Sequence, residues 1–396
     1  MVAKNPQSIK IYEDNDRFFD TLWKHIDNAK DLICLATYDM DHKNISGITI
    51  QKLKNACKRG VKVFLIIDDL NFYANKEQCR QLEAMGGMVI RNNPFRNHQK
   101  VFLVDDNIFC GSLNIANMYS SVRYGDGSFR DLNIILKRHP SKKTRDFFRD
   151  MIIWNSQFYK NKIKEDEINQ IFDEIDARYH RLYNKFYKEQ KLLNPEIAVF
   201  LQETQTPQSH TEVTKAIIDI VKEAQHSIKI IQSYVQPVKA LEEALIDAIV
   251  QRGVKVEIVT ARIRDQPVYR TFLNAELFQD LKKNGAIVYE EPYKFLHMKA
   301  VVVDDGKFMT LGSMNQDVWS FYCNNEANIL LVNEKVNTLR PTVAYTTFMQ
   351  VFNNLKRECR LVDDTYQYKG VGYIENMWWR LFLFCSYACC ANNMPR

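Results

Sequence analysis

The sequence predicts an α/β protein of two fused halves related by a pseudo-twofold axis, each a mostly parallel sheet flanked by helices. Three observations predict it. HQKVFLVDDNIFCGSLN, opening at His98, returns as HMKAVVVDDGKFMTLGSMN, opening at His297, 199 residues later. Arg59-Gly60-Val61-Lys62-Val63 returns as Arg252-Gly253-Val254-Lys255-Val256. In both halves short apolar runs alternate with longer amphipathic ones, as parallel strands joined by crossover helices require. A unit of about 200 residues is a duplicated domain, since solenoid repeats run to about 20–50. With 396 residues, 46% of them hydrophobic, the chain can bury a substantial core, which excludes a disordered or fibrous protein.

The elements follow in order. Asp31–Thr37 (DLICLAT) predicts a strand, Thr49–Lys58 a helix and Val61–Ile67 a second strand. Lys76–Met85 reads as a helix, Met88–Arg91 as a short strand and Lys100–Val104 as the strand leaving the first histidine. The second half repeats this with Ile228–Ser233, Leu241–Gln251, Val254–Val259, Leu273–Lys283, Ala286–Tyr289 and the segment at His297. The glycine of each Arg-Gly-Val sits at a helix-to-strand turn, where a positive φ costs it least. Gly86 and Gly285 each precede their histidine by 12 residues.

These anchors divide the chain into a first half, 1–140, a helical insert or linker, 141–204, a second half, 205–360, and a tail, 361–396. In the insert Ile168, Ile171, Phe172, Ile175, Tyr179 and Leu182 recur mostly at intervals of 3 or 4, which predicts one or two helices packed on the outside of the core. The tail, MWWRLFLFCSYACC from Met377, is aromatic and cysteine-rich but short of the roughly 20 apolar residues that span a bilayer. It reads two ways: as an interfacial membrane contact with acylated Cys385, Cys389 or Cys390, or as a helix or strand docked on the protein.

Nine cysteines, an odd number without CxxC spacing, predict no disulfide framework and a reducing compartment. A net charge of +6 fits an anionic substrate or membrane surface and equally fits ordinary solubility. The amino end has neither an apolar signal core nor a transmembrane run, so the expectation is a peripheral protein on the cytoplasmic side of a membrane. Secretion by a route without a cleaved signal leaves the same mark.

The chemistry is carried by the paired motif. An imidazole that attacks an electrophile needs an acid to protonate the leaving group, and a second imidazole from the other half supplies one. Lys100 and Lys299 stand two residues beyond each histidine, on the same side of a strand. Two ammonium groups and two imidazoles around one point are costly unless an anion lies between them, and a phosphodiester is the obvious one. Asn114 and Asn315, following Gly111-Ser112 and Gly312-Ser313, can donate to its non-bridging oxygens, with the serines as further donors. Asp131 and Glu326, each just before an apolar strand, can accept from an imidazole and fix its tautomer. Asp105 and Asp304 are expected to brace loops. The other six histidines have no echo between the halves and read as ordinary side chains. No cofactor and no metal is expected, because the lysines oppose a cation and no ligand spacing lies near either histidine.

His-x-Lys followed by Asp, Gly-Ser and Asn, present twice, resembles the signature of the phospholipase D superfamily. ICLATYDM, KRGVKVFLIIDD, IKIIQSYVQP and QRGVKVEIVTARIRD also look like family segments, so the resemblance covers roughly 10–136 and 205–360. Within the superfamily the chain is similar to the bacterial cardiolipin-synthase-like branch. That resemblance implies two phospholipase-D-like domains and a phosphatidyl-histidine intermediate resolved by water or an alcohol. By analogy His98 is the nucleophile and His297 the general acid, with Lys100, Lys299, Asn114 and Asn315 holding the phosphoryl oxygens. The chain departs from the pattern in two places. Gly111 lies six positions after Asp105 but Gly312 eight after Asp304, on either side of the usual spacing. The amino-terminal transmembrane helices usual in cardiolipin synthases have no counterpart, so a housekeeping synthase is not the expectation.

The expected function is hydrolysis or transphosphatidylation of phospholipids at a membrane surface. Two alternatives stay open: a metal-independent phosphodiesterase on nucleic acid, for which the dispersed lysines offer no continuous basic groove, and a catalytically silent membrane-associated scaffold.

Overall fold

Two sheets with one strand order between them make up the protein. The computed structural model describes residues 8–41, 43–92, 96–121, 123–137, 142–156, 164–177, 179, 196–204, 210–262, 279–334, 336, 339 and 341–362. The first half contains β1 (Ser8–Tyr12), α1 (Asn15–Asn28), β2 (Leu32–Thr37), α2 (Asn44–Lys58), β3 (Lys62–Asp68), α3 (Asp69–Ala74), α4 (Lys76–Glu83) and β4 (Met88–Asn92). After these come β5 (Arg96–Asn97), β6 (Val101–Val104), β7 (Asn107–Gly111), β8 (Phe129–Arg130) and β9 (Asn133–Lys137). Between the halves lie α5 (Lys142–Ser156) and α6 (165–177). The second half runs β10 (Glu196–Thr204), β11 (His210–Thr211), α7 (Glu212–Glu223), β12 (Ser227–Gln232), α8 (Lys239–Val250), β13 (Lys255–Ala261) and α9 (279–283). It ends with β14 (Ile287–Glu291), β15 (Phe295–Leu296), β16 (Lys299–Val303), β17 (Phe308–Gly312), α10 (Val318–Tyr322), β18 (Asn324–Asn333), α11 (Val343–Glu358) and β19 (Arg360–Leu361).

The first sheet is ordered β1-β9-β7-β6-β2-β3-β4, and the second repeats it as β10-β18-β17-β16-β12-β13-β14, extended by β11 and β19 at its edges. The duplication read from the sequence therefore holds, but the mostly parallel sheets do not: both are mixed. Only β2-β3-β4 and β12-β13-β14 run parallel, and the remaining pairs along each sheet are antiparallel. The reason is local. β6 and β7 are joined through Asp105-Asp106, and so short a link can only reverse the chain. The apolar runs VKVFLII and SIKIIQ still belong to central strands, because both faces of each sheet are covered.

The covering comes from three apolar clusters. Leu32, Cys34, Ala36, Phe64 and Ile108 of the first sheet share one cluster with Ile231, Val259, Ala300, Val302 and Leu311 of the second, so the inner faces meet. Helices α1, α2 and α4 cover the outer face of the first sheet, and α7 and α8 that of the second. Gly60 (φ 85°) and Gly253 (φ 67°) end α2 and α8 in the left-handed region, at the predicted turns.

The insert is not an external covering. Phe147, Phe148 and Ile152 of α5 and Ile168, Ile171, Phe172 and Ile175 of α6 enter the central cluster, where the Phe172 ring lies 5.9 Å from Phe64. Helical periodicity shows that a helix has an apolar face but not which surface it meets. The span taken as linker also contains β10, which pairs along β18 over eight residues from Glu196 to Glu203. Leu182, residues 273–278 of the predicted Leu273–Lys283 helix, and the tail with Cys385, Cys389 and Cys390 lie outside the described residues.

Candidate active site

Each histidine is delivered by a short strand that pairs with the opposite half. β5 runs parallel to the start of β18, and the His98 N–H donates to the Asn325 carbonyl at 3.0 Å. β15 runs parallel to β8, and the His297 N–H donates to the Arg130 carbonyl at 2.8 Å.

The acids act crosswise as well. His98 Nδ1 lies 2.7 Å from Glu326 Oε1, and His297 Nδ1 lies 2.8 Å from Asp131 Oδ1, so each half orients the other half's imidazole. With Nδ1–H donated to a carboxylate, Nε2 is left with its lone pair. The Gly-Ser serines hold the acids: Ser112 Oγ donates to Asp131 at 2.8 Å and Ser313 Oγ to Glu326 at 2.5 Å. Each serine oxygen also accepts a backbone N–H, from Leu132 and Ala327, both at 3.0 Å. The serines therefore brace the site from behind, where the sequence had suggested donors to the phosphoryl group.

Two-residue alternation places Lys100 and Lys299 beside their histidines, and each Nζ donates back to the carbonyl of its own His98 or His297. Lys299 Nζ also reaches Ser233 Oγ at 2.9 Å, and Lys100 lies 5.4 Å from the Tyr38 ring centre. Both lysines are 1% exposed. Burial lowers Lys100 to about 7, opposed by Glu326, and lowers Lys299 well below its ordinary value, helped by Lys100. Burial, Lys100 and Lys299 hold His98 far below the usual imidazole range, and His297 adds to this, so all four groups feel one another. Burial and Lys299 take His297 down to about 4, against Asp131. Burial pushes Glu326 up to about 8, against Lys100 and the Ser313 and Ser320 hydroxyls. The lowered lysines and histidines have the sign of buried cations awaiting an anion, whereas the raised Glu326 reflects its burial.

The asparagines differ. Asn114 accepts from the Asp39 N–H at 3.1 Å and gives one N–H to the Tyr119 hydroxyl at 2.7 Å, while Asn315 Oδ1 has no hydrogen-bond partner among the described residues. Asp105 and Asp304 lie at the far ends of the β6–β7 and β16–β17 hairpins. Asp105 accepts the N–H groups of Lys30, Asp31 and Leu32, each at 3.0 Å. Asp304 accepts those of Gln225, His226 and Ser227 at 2.7–3.1 Å. These contacts offset their left-handed φ of 50° and 46°. The six-against-eight spacing is absorbed in these turns: β7 and β17 are both five residues long and both end on the glycine. At Gly111 and Gly312 a Cβ would meet Asn133 or Ala327 and Asn328 atoms at 2.3 Å, so only glycine lets the strands approach this closely.

Several site residues escaped the sequence reading. Tyr38 flanks His98 at 5.3 Å between ring centres, and Tyr119, Phe129 and Phe295 surround His297 at 5.3, 5.5 and 6.1 Å. Asn133 and Asn328 accept the Leu113 and Met314 N–H groups and hold the Gly-Ser turns, and Ser320 donates to Glu326 at 2.6 Å. The repeat held part of this signal, because Asn133 and Asn328 stand two residues after the paired acids.

The family model described as "Cardiolipin synthase, PLD-like domain" matches residues 22–150 and again 217–344. A cardiolipin synthase of Clostridium perfringens is 26% identical over 344 residues, covering 83% of this chain and 68% of its own. One from Oceanobacillus iheyensis is 28% identical over 355 residues, covering 84% and 67%. Among solved structures, a phosphatidylserine synthase of Haemophilus influenzae superposes with a TM-score of 0.67 at 15% identity, over 96% of this chain and 93% of that one. At that identity the likeness speaks for the fold alone. The family model accounts for both halves, and with them both His-x-Lys strands: the chain belongs to the phospholipase D superfamily, in its cardiolipin-synthase-like branch, and is a phosphodiesterase of the phospholipase D and phosphatidyltransferase type.

Proposed function

We propose that the protein cleaves the headgroup phosphodiester of a membrane phospholipid through a phosphatidyl-histidine and passes the phosphatidyl group to water or an alcohol. His98 Nε2 attacks phosphorus, the bond to the headgroup oxygen breaks, and His297 gives that oxygen its proton. The acceptor then attacks phosphorus, its proton passes to His297, and the P–N bond breaks. Lys100 and Lys299 neutralise the non-bridging oxygens, with Asn315 and the remaining N–H of Asn114 as donors. Asp105, Ser112, Asp131, Asp304, Ser313 and Glu326 are positioning residues.

The observation that carries this reading is the crosswise pinning of each imidazole Nδ1 by an acid of the opposite half, Glu326 for His98 and Asp131 for His297. The order of roles, His98 as nucleophile and His297 as acid, is carried over from the family resemblance.

The same reading divides the chain into a first catalytic half, 1–140, and a second that begins with β10 at 196 and runs to 360, joined by 141–195, with the 361–396 tail as the membrane contact and Cys385, Cys389 and Cys390 as acylation sites. Among the described residues no helix is long and apolar enough to cross a membrane. A peripheral position on the cytoplasmic face fits a lipid headgroup reaching a buried site.

Mixed phospholipid vesicles with glycerol, phosphatidylglycerol and ethanol as competing acceptors test the proposal. Released headgroup and new phosphatidyl products, lost in His98→Ala, are expected. No product from any lipid, or a His98→Ala variant equal to wild type, overturns it. Metal-free DNA cleavage lost in the same variant would move the site to nucleic acid.

A further inference from the structure

A cleft of about 680 Å3 lies between α1, β1, the end of β9 and the β6–β7 turn. Arg17 and Lys24 reach it from α1, Lys10 from β1 and Lys137 from β9. Lys10 and Lys137 are diagonal neighbours across the β1–β9 ladder, in which Ser8 pairs with Lys137 and Lys10 with Ile135. None of the four cations has an acidic partner among the described residues. Two acids also line the cleft and are otherwise engaged: Asp20 holds Arg123 at 2.9 Å, and Asp105 holds three backbone N–H groups at and just before the start of β2. Burial lowers the Lys137 ammonium, and Lys10 and Lys24 lower it further. Like charges gathered in a concavity repel unless an anion joins them.

The place of the cleft limits what the anion can be. β6 starts beside Lys100 and ends at Val104 on the cleft wall, so the cleft opens at the opposite end of the strand from the histidines. A bilayer presented to one end is not presented to the other. The volume falls in the range of about 300–1,000 Å3 typical of small-molecule sites.

We propose that this cleft binds a soluble phosphorylated small molecule, through a phosphate dianion held by Lys10, Arg17, Lys24 and Lys137. Pyrophosphate is the probe. Calorimetric titration of the full chain should show two sites in the wild type, the cleft and the catalytic centre. Lys24→Gln/Lys137→Gln should weaken one of them by about tenfold or more, while turnover of phospholipid vesicles stays at the wild-type rate. Lys10→Gln/Arg17→Gln, on the other wall, should do the same, and it decides the matter if the first variant melts early. Equal pyrophosphate binding by wild type and both variants would mean an adventitious ion only and overturns the proposal. Loss of phosphatidylglycerol-vesicle binding with pyrophosphate binding intact would make the cleft a lipid contact and overturns it too. Lipid turnover reads the catalytic proposal separately, so failure of one leaves the other standing.

Discussion

Ser112 and Ser313 hold carboxylates, and those carboxylates hold imidazoles. Ser112→Ala strips Asp131 of a donor and leaves the buried Leu132 N–H without its acceptor, which should cost about 1–3 kcal/mol in urea unfolding. Asp131→Asn and Glu326→Gln each remove the acceptor that sets an imidazole tautomer, and kcat should fall by about 10²- to 10⁴-fold with KM little changed. The lysines give a pH signature. At pH 8 the buried Lys100, lowered to about 7, is largely uncharged, and an anion beside it raises it again. Phosphate or vanadate binding should therefore take up protons at pH 8, and affinity should weaken as pH rises above about 7, as buffer-dependent calorimetry will show. The histidines, lysines, acids and asparagines were legible because each occurs twice in one order. Tyr119 and Phe129 were not, because neither has an echo and an aromatic residue in a loop has many uses.

Among the elements, the two-residue strands β5 and β15 matter most for catalysis, because they tie each histidine to the other half. The β8–β15 tie is clamped by Arg130, which meets Glu291 at 2.9 Å and also pairs with Glu358. The Glu291 side chain is fully buried, so Arg130→Gln strands a charge there. A loss of about 3–5 kcal/mol in urea unfolding is expected. Strands as short as β5, β8 and β15 have no hydrophobic period to read, and their pairing is set by the fold around them. The long apolar strands β2, β3, β12 and β13 were legible for the opposite reason. Strand direction was not, since alternation of strand and helix describes only β2 to β4 and β12 to β14, and a hairpin follows in each half.

For the whole molecule, the halves share one apolar cluster and one site, with α5, α6 and α11 completing the cluster. Separately produced 1–140 and 141–396 fragments should be inactive alone, since each would lack the acid that orients its own histidine, and activity should return when they are mixed. The pseudo-twofold relation was legible from residues 199 apart; the depth at which the insert lies was not, because its periodicity fits any apolar partner.

Catalysis by two pinned imidazoles requires that a phosphatidyl group reside on one histidine during turnover. Rapid quenching in neutral denaturant during turnover of headgroup-labelled and acyl-labelled phospholipid, followed by mass spectrometry of the peptides at neutral pH, shows whether it does. An acyl-labelled phosphoryl adduct on His98 that carries no headgroup and is absent from His98→Ala is expected. Product formation with neither His98 nor His297 ever modified would contradict it.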